Sequence, residues 1–212
     1  MRGLLLFLLL FTIAVSGHAA SQSSPRPSPP SSPVILVVGD SLSAAYGIDP
    51  EQGWVSLLGQ RLRQKGFPHR VVNASISGDT TLNGVSRLRV ALETHQPALV
   101  IIELGGNDGL RGLSLQQMRN NLARMIEQAQ QHRAQVLLVG MRIPPNYGRP
   151  YTEAFYGLYR ELAEKYQTGL VPFLLDGIGG RDELMQADGI HPTAAAQPLM
   201  LDNVWGVIEP LL

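Results

Sequence analysis

Asp188 and His191, in the stretch "DGIHP", are three residues apart and separated by a glycine. Fully extended, that separation spans about 10 Å, too far for a carboxylate to orient an imidazole. Asp-Gly is a strong turn former, and a turn brings its first and fourth Cα atoms within about 7 Å. Asp188 can then accept from His191 Nδ1 and leave Nε2 free as a base. A base of this kind needs a nucleophile, and "GDSLS" supplies a hydroxyl at Ser41 directly after an apolar run. Attack on an acyl carbon also needs donors for the oxyanion that forms. The Ser41 N–H is one candidate if it lies near a helix N-terminus. Gly78 has no side chain to shield its N–H, and the Asn107 side-chain amide is a third candidate. Each residue alone has an ordinary reading: Ser41 as a helix cap, Gly78 and Asn107 as turn formers, His191 as a surface histidine. Together they make a Ser-His-Asp constellation with its oxyanion site.

That reading holds only if the fold brings the four clusters together. Val34–Val38 is a continuous β-branched run, as in a strand buried on both faces. Further strands are expected at 70–74, 98–104, 136–139 and 170–174, with Pro172 placing the last at an edge. Helical spacing joins Trp54, Leu57, Leu58 and Leu62, with Gly66 as the stop. It also joins Val85, Leu88 and Leu92, and Leu115, Met118, Leu122, Met125 and Ile126, where Ser114 and Gln117 fit a capping box. Phe155, Leu158, Tyr159, Leu162 and Tyr166 mark another helix, and the chain from about Pro198 onward a last one. Strict alternation of strand and helix predicts an α/β fold: a five-stranded parallel sheet between two layers of helices. Sites in such sheets lie outside the C-terminal strand ends. Ser41, Gly78 and Asn107 follow the first, second and third strands, and Pro192, after His191, can start a helix.

Composition narrows the classes of partner. The chain has 212 residues, a formal net charge of zero and no cysteine. It therefore has no disulfide, no thiolate metal site and no catalytic thiol. Charge balance argues against nucleic acid and against a polybasic membrane patch. P-loop, dinucleotide and H-E-x-x-H motifs are absent, so no cofactor and no metal are expected. Residues 1–20 combine Arg2, a short apolar run and small residues around Ala19 and Ala20, the pattern of a signal peptide. The apolar run is too short to span a bilayer. Residues 21–33 form a serine- and proline-rich tether, and residues 34–212 the folded domain. These segments predict a product released to the periplasm or the medium, with no membrane span after cleavage, acting as a monomer on a small molecule.

The blocks "GDSLSAAYG", "VVNASISGDTT", "ELGGNDGLRG", "PPNYGRPYTEAF" and "DGIHPTAAAQP" resemble those of the GDSL, or SGNH, hydrolase family, and the resemblance runs from Val34 onward. It implies a three-layer, flavodoxin-like fold and hydrolysis of acyl esters and thioesters, with aryl esters and lysophospholipids among the substrates. It assigns Ser41, Asp188 and His191 to catalysis and Ser41, Gly78 and Asn107 to the oxyanion hole. Asp40 is expected to cap the helix or brace the loop under Ser41 rather than react, and Glu103 to make a supporting hydrogen bond. In the segment 142–155, four residues that break regular structure (Pro144, Pro145, Gly148 and Pro150) predict an irregular loop. Its Asn146, Tyr147, Tyr151 and Phe155 are the expected substrate-binding residues. A carbohydrate deacetylase on the same fold, or a phosphate-binding flavodoxin-like module, are the competing readings. The second has no use for Asp188 and His191.

Overall fold

A computed structural model describes residues 32–212; the expected signal peptide and the tether up to residue 31 lie outside the described residues. The apolar runs become a five-stranded, wholly parallel sheet of β1 (Val34–Gly39), β2 (Arg70–Asn73), β3 (Leu99–Glu103), β4 (Gln135–Val139) and β5 (Gly169–Val171) in the order β2-β1-β3-β4-β5. Every residue of β1 and β3 is buried, as continuous apolar runs in a sheet covered on both faces must be. β5 is short, ends before Pro172 and lies at an edge, where a missing N–H costs least.

The covering helices are α1 (Trp54–Gln64), α2 (Thr81–His95), α3 (Gly106–Leu110), α4 (Leu115–Gln131), α5 (Arg149–Tyr166) and α6 (Gln197–Ile208). α1 packs against α6, while α2, α4 and α5 pack side by side. The first crossover moves outward from β1 to β2, and the next returns past β1 to β3. That reversal is the switch point of a doubly wound sheet, where a crevice opens at the C-terminal strand ends. Register levels the two strands that flank it: Gly39 pairs with Glu103, so the loops after β1 and β3 start at the same height.

Three local expectations change. α3 is a short helix directly after β3, where "GGND" reads in sequence as a turn. α5 begins at Arg149, so 149–155 is helical and not an irregular loop. Pro150 sits in its first turn, where the missing N–H would have had no intrahelical partner anyway. Pro192 does not start a helix. It bridges to Met185, and α6 begins at Gln197 after a short 3-10 turn, Ala194–Ala196.

Candidate active site

The loop before α6 folds back on itself through the Met185–Pro192 bridge, with Gln186 N–H donating to the His191 carbonyl at 2.7 Å. Within it, Asp188 Oδ1 accepts from the N–H groups of Ile190 (2.9 Å) and His191 (3.0 Å). Its Oδ2 lies 2.6 Å from His191 Nδ1. Gly189 supplies the positive φ of 68° in this turn. The His191 backbone N–H, then its ring, then the Ile190 N–H pull the Asp188 pKa down to about 2, so this carboxylate stays ionised at neutral pH.

His191 Nε2 lies 2.8 Å from Ser41 Oγ, across 150 residues of sequence. With Nδ1 donating to Asp188, Nε2 is the acceptor and can take the Ser41 proton. Two contacts that sequence spacing does not reveal support this pair. The Tyr46 ring packs on the imidazole, with centroids 4.4 Å apart. Gln186 Nε2 donates to the Tyr46 carbonyl at 2.8 Å and to the Pro192 carbonyl at 3.0 Å, tying the histidine loop to the serine loop.

No helix follows Ser41. Residues 41–47 are successive turns, and the Ala44 N–H donates to the Asp40 carbonyl at 2.9 Å. Among the described residues the N–H groups of Ser41 and Gly78 have no acceptor, so both are free to meet an anion. Gly78 has a φ of +82°, a backbone that a side chain would strain. Arg87 fixes the loop that carries it. Its guanidinium binds the Asp79 carboxylate (Nε, 2.7 Å), the Gly39 carbonyl (3.2 Å) and the Ala74 carbonyl. Asn107, at the start of α3, donates through Nδ2 to Asp40 Oδ2 (3.1 Å) and to the Asp79 carbonyl (3.0 Å). The structure thus gathers Ser41, Asp188 and His191 in one bonded line, and hydrogen bonds tie the loops of Gly78 and Asn107 to its serine end.

Beneath the serine loop lie two buried carboxyl groups, Asp40 and Glu103. Glu103 Oε2 accepts from Ser43 Oγ at 2.7 Å and from the Asp40 N–H at 3.3 Å. A Cβ on Gly39 would stand 2.7 Å from that oxygen, so only glycine lets the strand pass this close. Burial, then the charge of Asp40, pushes the Glu103 pKa well above the usual carboxylate range. Glu103→Ala should lower stability by about 2–4 kcal/mol, because Ser43 Oγ and the Asp40 N–H lose their acceptor in a dry place. Glu103→Gln keeps an acceptor and should stay within about 1 kcal/mol of the parent. Urea unfolding checks both; a Gln variant as weak as the Ala variant would mean that the native state needs the charge.

The four expected substrate residues separate. Asn146 is exposed in the 3-10 turn Pro145–Tyr147. Tyr147 and Tyr151 stack, with centroids 6.4 Å apart. Their hydroxyls donate to the carbonyls of Leu110 (2.6 Å) and Leu113 (3.0 Å), so they brace the segment between α3 and α4. Leu113 in turn lines a cavity of about 410 Å³ together with Thr80, Leu82, Asp108, Gln117 and Arg124. Phe155 does not belong with them. It is fully buried, meets Tyr159 edge-on at 5.7 Å, and would lie 2.7 Å from a Cβ on Gly109. Its place on the inner face of α5 leaves it no surface for a ligand.

The chain is similar to several known proteins. The model of the GDSL-like lipase/acylhydrolase family matches residues 37–198. Esterase TesA of Pseudomonas aeruginosa is 51% identical over 212 residues, covering 100% of both chains. Thioesterase 1/protease 1/lysophospholipase L1 of Escherichia coli K12 is 42% identical over 178 residues, 84% of each chain. The crystal structure of the psychrotrophic esterase EstA from Pseudoalteromonas sp., inhibited by monoethylphosphonate, superposes with a TM-score of 0.80 at 40% identity. It covers 84% of this chain and 97% of that one.

Proposed function

This chain belongs to the GDSL-like lipase/acylhydrolase family, and from that premise we propose that it is an exported serine esterase that hydrolyses acyl esters and thioesters through an acyl-serine intermediate. The observation that carries the proposal is the bonded line from Ser41 Oγ to His191 Nε2 (2.8 Å) and from His191 Nδ1 to Asp188 (2.6 Å). His191 takes the Ser41 proton as Oγ attacks the acyl carbon. The oxyanion meets the N–H groups of Ser41 and Gly78 and the Asn107 amide. As the tetrahedral species collapses, His191 returns the proton to the leaving oxygen or sulfur. Water then attacks the acyl-serine with His191 again as base. Asp188, ionised throughout, holds the imidazole in its tautomer and steadies the imidazolium. No metal or organic cofactor enters these steps.

The names of the relatives suggest esters, acyl thioesters and lysophospholipids as substrates, and aryl esters belong to the same proposed range. The pattern of residues 1–20 supports export to the periplasm or the medium, with residues 21–33 as a tether and 34–212 as the working domain, and that domain is proposed to act as a monomer. Asn146, Tyr147 and Tyr151 form one wall of the substrate crevice, and the two tyrosines hold the Leu110–Leu113 segment as its neighbour.

Hydrolysis rates over aryl esters of rising chain length, an acyl thioester and a lysophospholipid test this reading. The enzyme should cleave all three classes. Replacing Tyr147 and Tyr151 by alanine should flatten the chain-length profile of kcat/KM while acetyl esters react nearly as before. A methylene in an apolar pocket is worth about 1–3 kcal/mol, so the profile should lose slope gradually. An equal loss at every chain length would assign the tyrosines to the scaffold, and cleavage of none of the three classes would refute the proposed activity.

A further inference from the structure

Ser41 and Asn107 stand on loops after different strands, yet an oxyanion must meet both at once. Asp40 is the side chain that joins them. The residue is 3% exposed. Oδ1 accepts the Leu42 N–H at 3.1 Å, beside the nucleophile, and Oδ2 accepts Asn107 Nδ2 at 3.1 Å. The same Nδ2 also donates to the Asp79 carbonyl at 3.0 Å, so neither of its hydrogens is idle. Resting on the reading of Ser41, Gly78 and Asn107 as the reaction centre, we infer that Asp40 is the positioning residue of the oxyanion site. Its carboxylate keeps one Asn107 amide hydrogen throughout the reaction, and the forming oxyanion takes the other in place of the Asp79 carbonyl.

The choice between the two acceptors follows from charge. A hydrogen bond to a carboxylate is about twice as strong as one to a neutral carbonyl. The Asp79 carbonyl is therefore the partner an oxyanion displaces, and Asp40 is the pivot about which the amide is held. Beneath it, Glu103 fixes the backbone of Asp40 and the hydroxyl of Ser43 at the end of β1. A residue that served only to cap the turn would need Oδ1 alone. Burial raises the Asp40 pKa to about 6, while Leu42, Asn107 and the charge of His191 pull it down and Asp79 pushes it up. Glu103 faces it from β3. At pH 8 Asp40 is ionised.

A double-mutant cycle at pH 8 on a short aryl ester is the test. Asp40→Asn retains an oxygen for Leu42 and sets an NH2 group against the Asn107 amide. It should lower kcat by about 10–100-fold, the usual cost of a misplaced catalytic group, with KM within about twofold. In the Asn107→Ala background the same change should cost less than about twofold, because its effect passes through Asn107. A full additive loss, or a matching rise in KM, would overturn the inference. Failure of the underlying reading shows separately, as an Asn107→Ala enzyme with unaltered kcat. Nuclear magnetic resonance of the parent protein gives a readout that needs no folded Asp40 variant. The two Asn107 Nδ2 protons should resonate far apart at pH 8, and a phosphonate on Ser41 should move only the proton that faces Asp79. Degenerate protons, or both moving together, would refute it.

Discussion

Ser41→Ala should lower kcat for ester hydrolysis by about 10⁴-fold or more, and adding His191→Ala should cost little further. In the proposed mechanism nucleophile and base act as one unit, so their losses should not add. The Ser41 hydroxyl is half-buried and its bond is to His191, not to the core, so the variant should melt within a few degrees of the parent. The residual rate should still exceed that in water, because the Gly78 and Asn107 donors and the substrate crevice remain. Steady-state kinetics with thermal melting decides the matter. A folded Ser41→Ala enzyme at ordinary turnover would remove the serine from the chemistry.

Asn107→Ala should lower kcat by about 10²–10³ with KM nearly unchanged. As an oxyanion donor it would act on charge that exists only in the tetrahedral species, so the ground state should not notice its loss. The variant also takes a partner from the buried Asp40 carboxylate, so its melting temperature should fall somewhat, and rates belong to the folded fraction. A rise in KM at constant kcat would make Asn107 a binding residue.

The parts of the fold that sequence reading reached are those where one physical pattern dominates. Val34–Val38 admits little but a strand buried on both faces, and it is an interior strand between β2 and β3. Ser114 caps α4 through the Gln117 N–H, as its spacing implies. Asp188 and His191 meet because a glycine turn fits between them, a local fact. Failures came where two local signals compete. Pro150 reads as a breaker when counted with Pro144, Pro145 and Gly148, yet position alone decides, and in a first helical turn it starts α5. Phe155 reads both as the first apolar position of a helix and as a ligand-facing residue of the loop; the helical reading prevails, and the ring turns inward onto Gly109 and Tyr159.

Contacts between loops were out of reach for a different reason. Gln186 binds Tyr46 across 140 residues and Arg87 binds the Gly39 carbonyl across 48, and neither has a period or a motif to announce it. Arg87 gave one weak hint, a long cation beside the apolar positions Val85 and Leu88 of α2. Asp40 and Glu103 were legible as supporting groups by their place at strand ends. The bonds from the Asp40 N–H to Glu103 and from the Asn107 amide to Asp40 required the register of β1 on β3.

Reaction with a fluorophosphonate, followed by mass spectrometry of the digested protein, tests the nucleophile most directly. An activated serine attacks phosphorus and is left as a stable tetrahedral adduct with the geometry the oxyanion donors are built to hold. The expected result is one adduct per chain, on the peptide carrying Ser41, formed at the rate at which esterase activity disappears and not formed after Ser41→Ala or His191→Ala. A protein that keeps its activity under excess reagent, or that loses it through an adduct on another residue, would contradict Ser41 as the nucleophile.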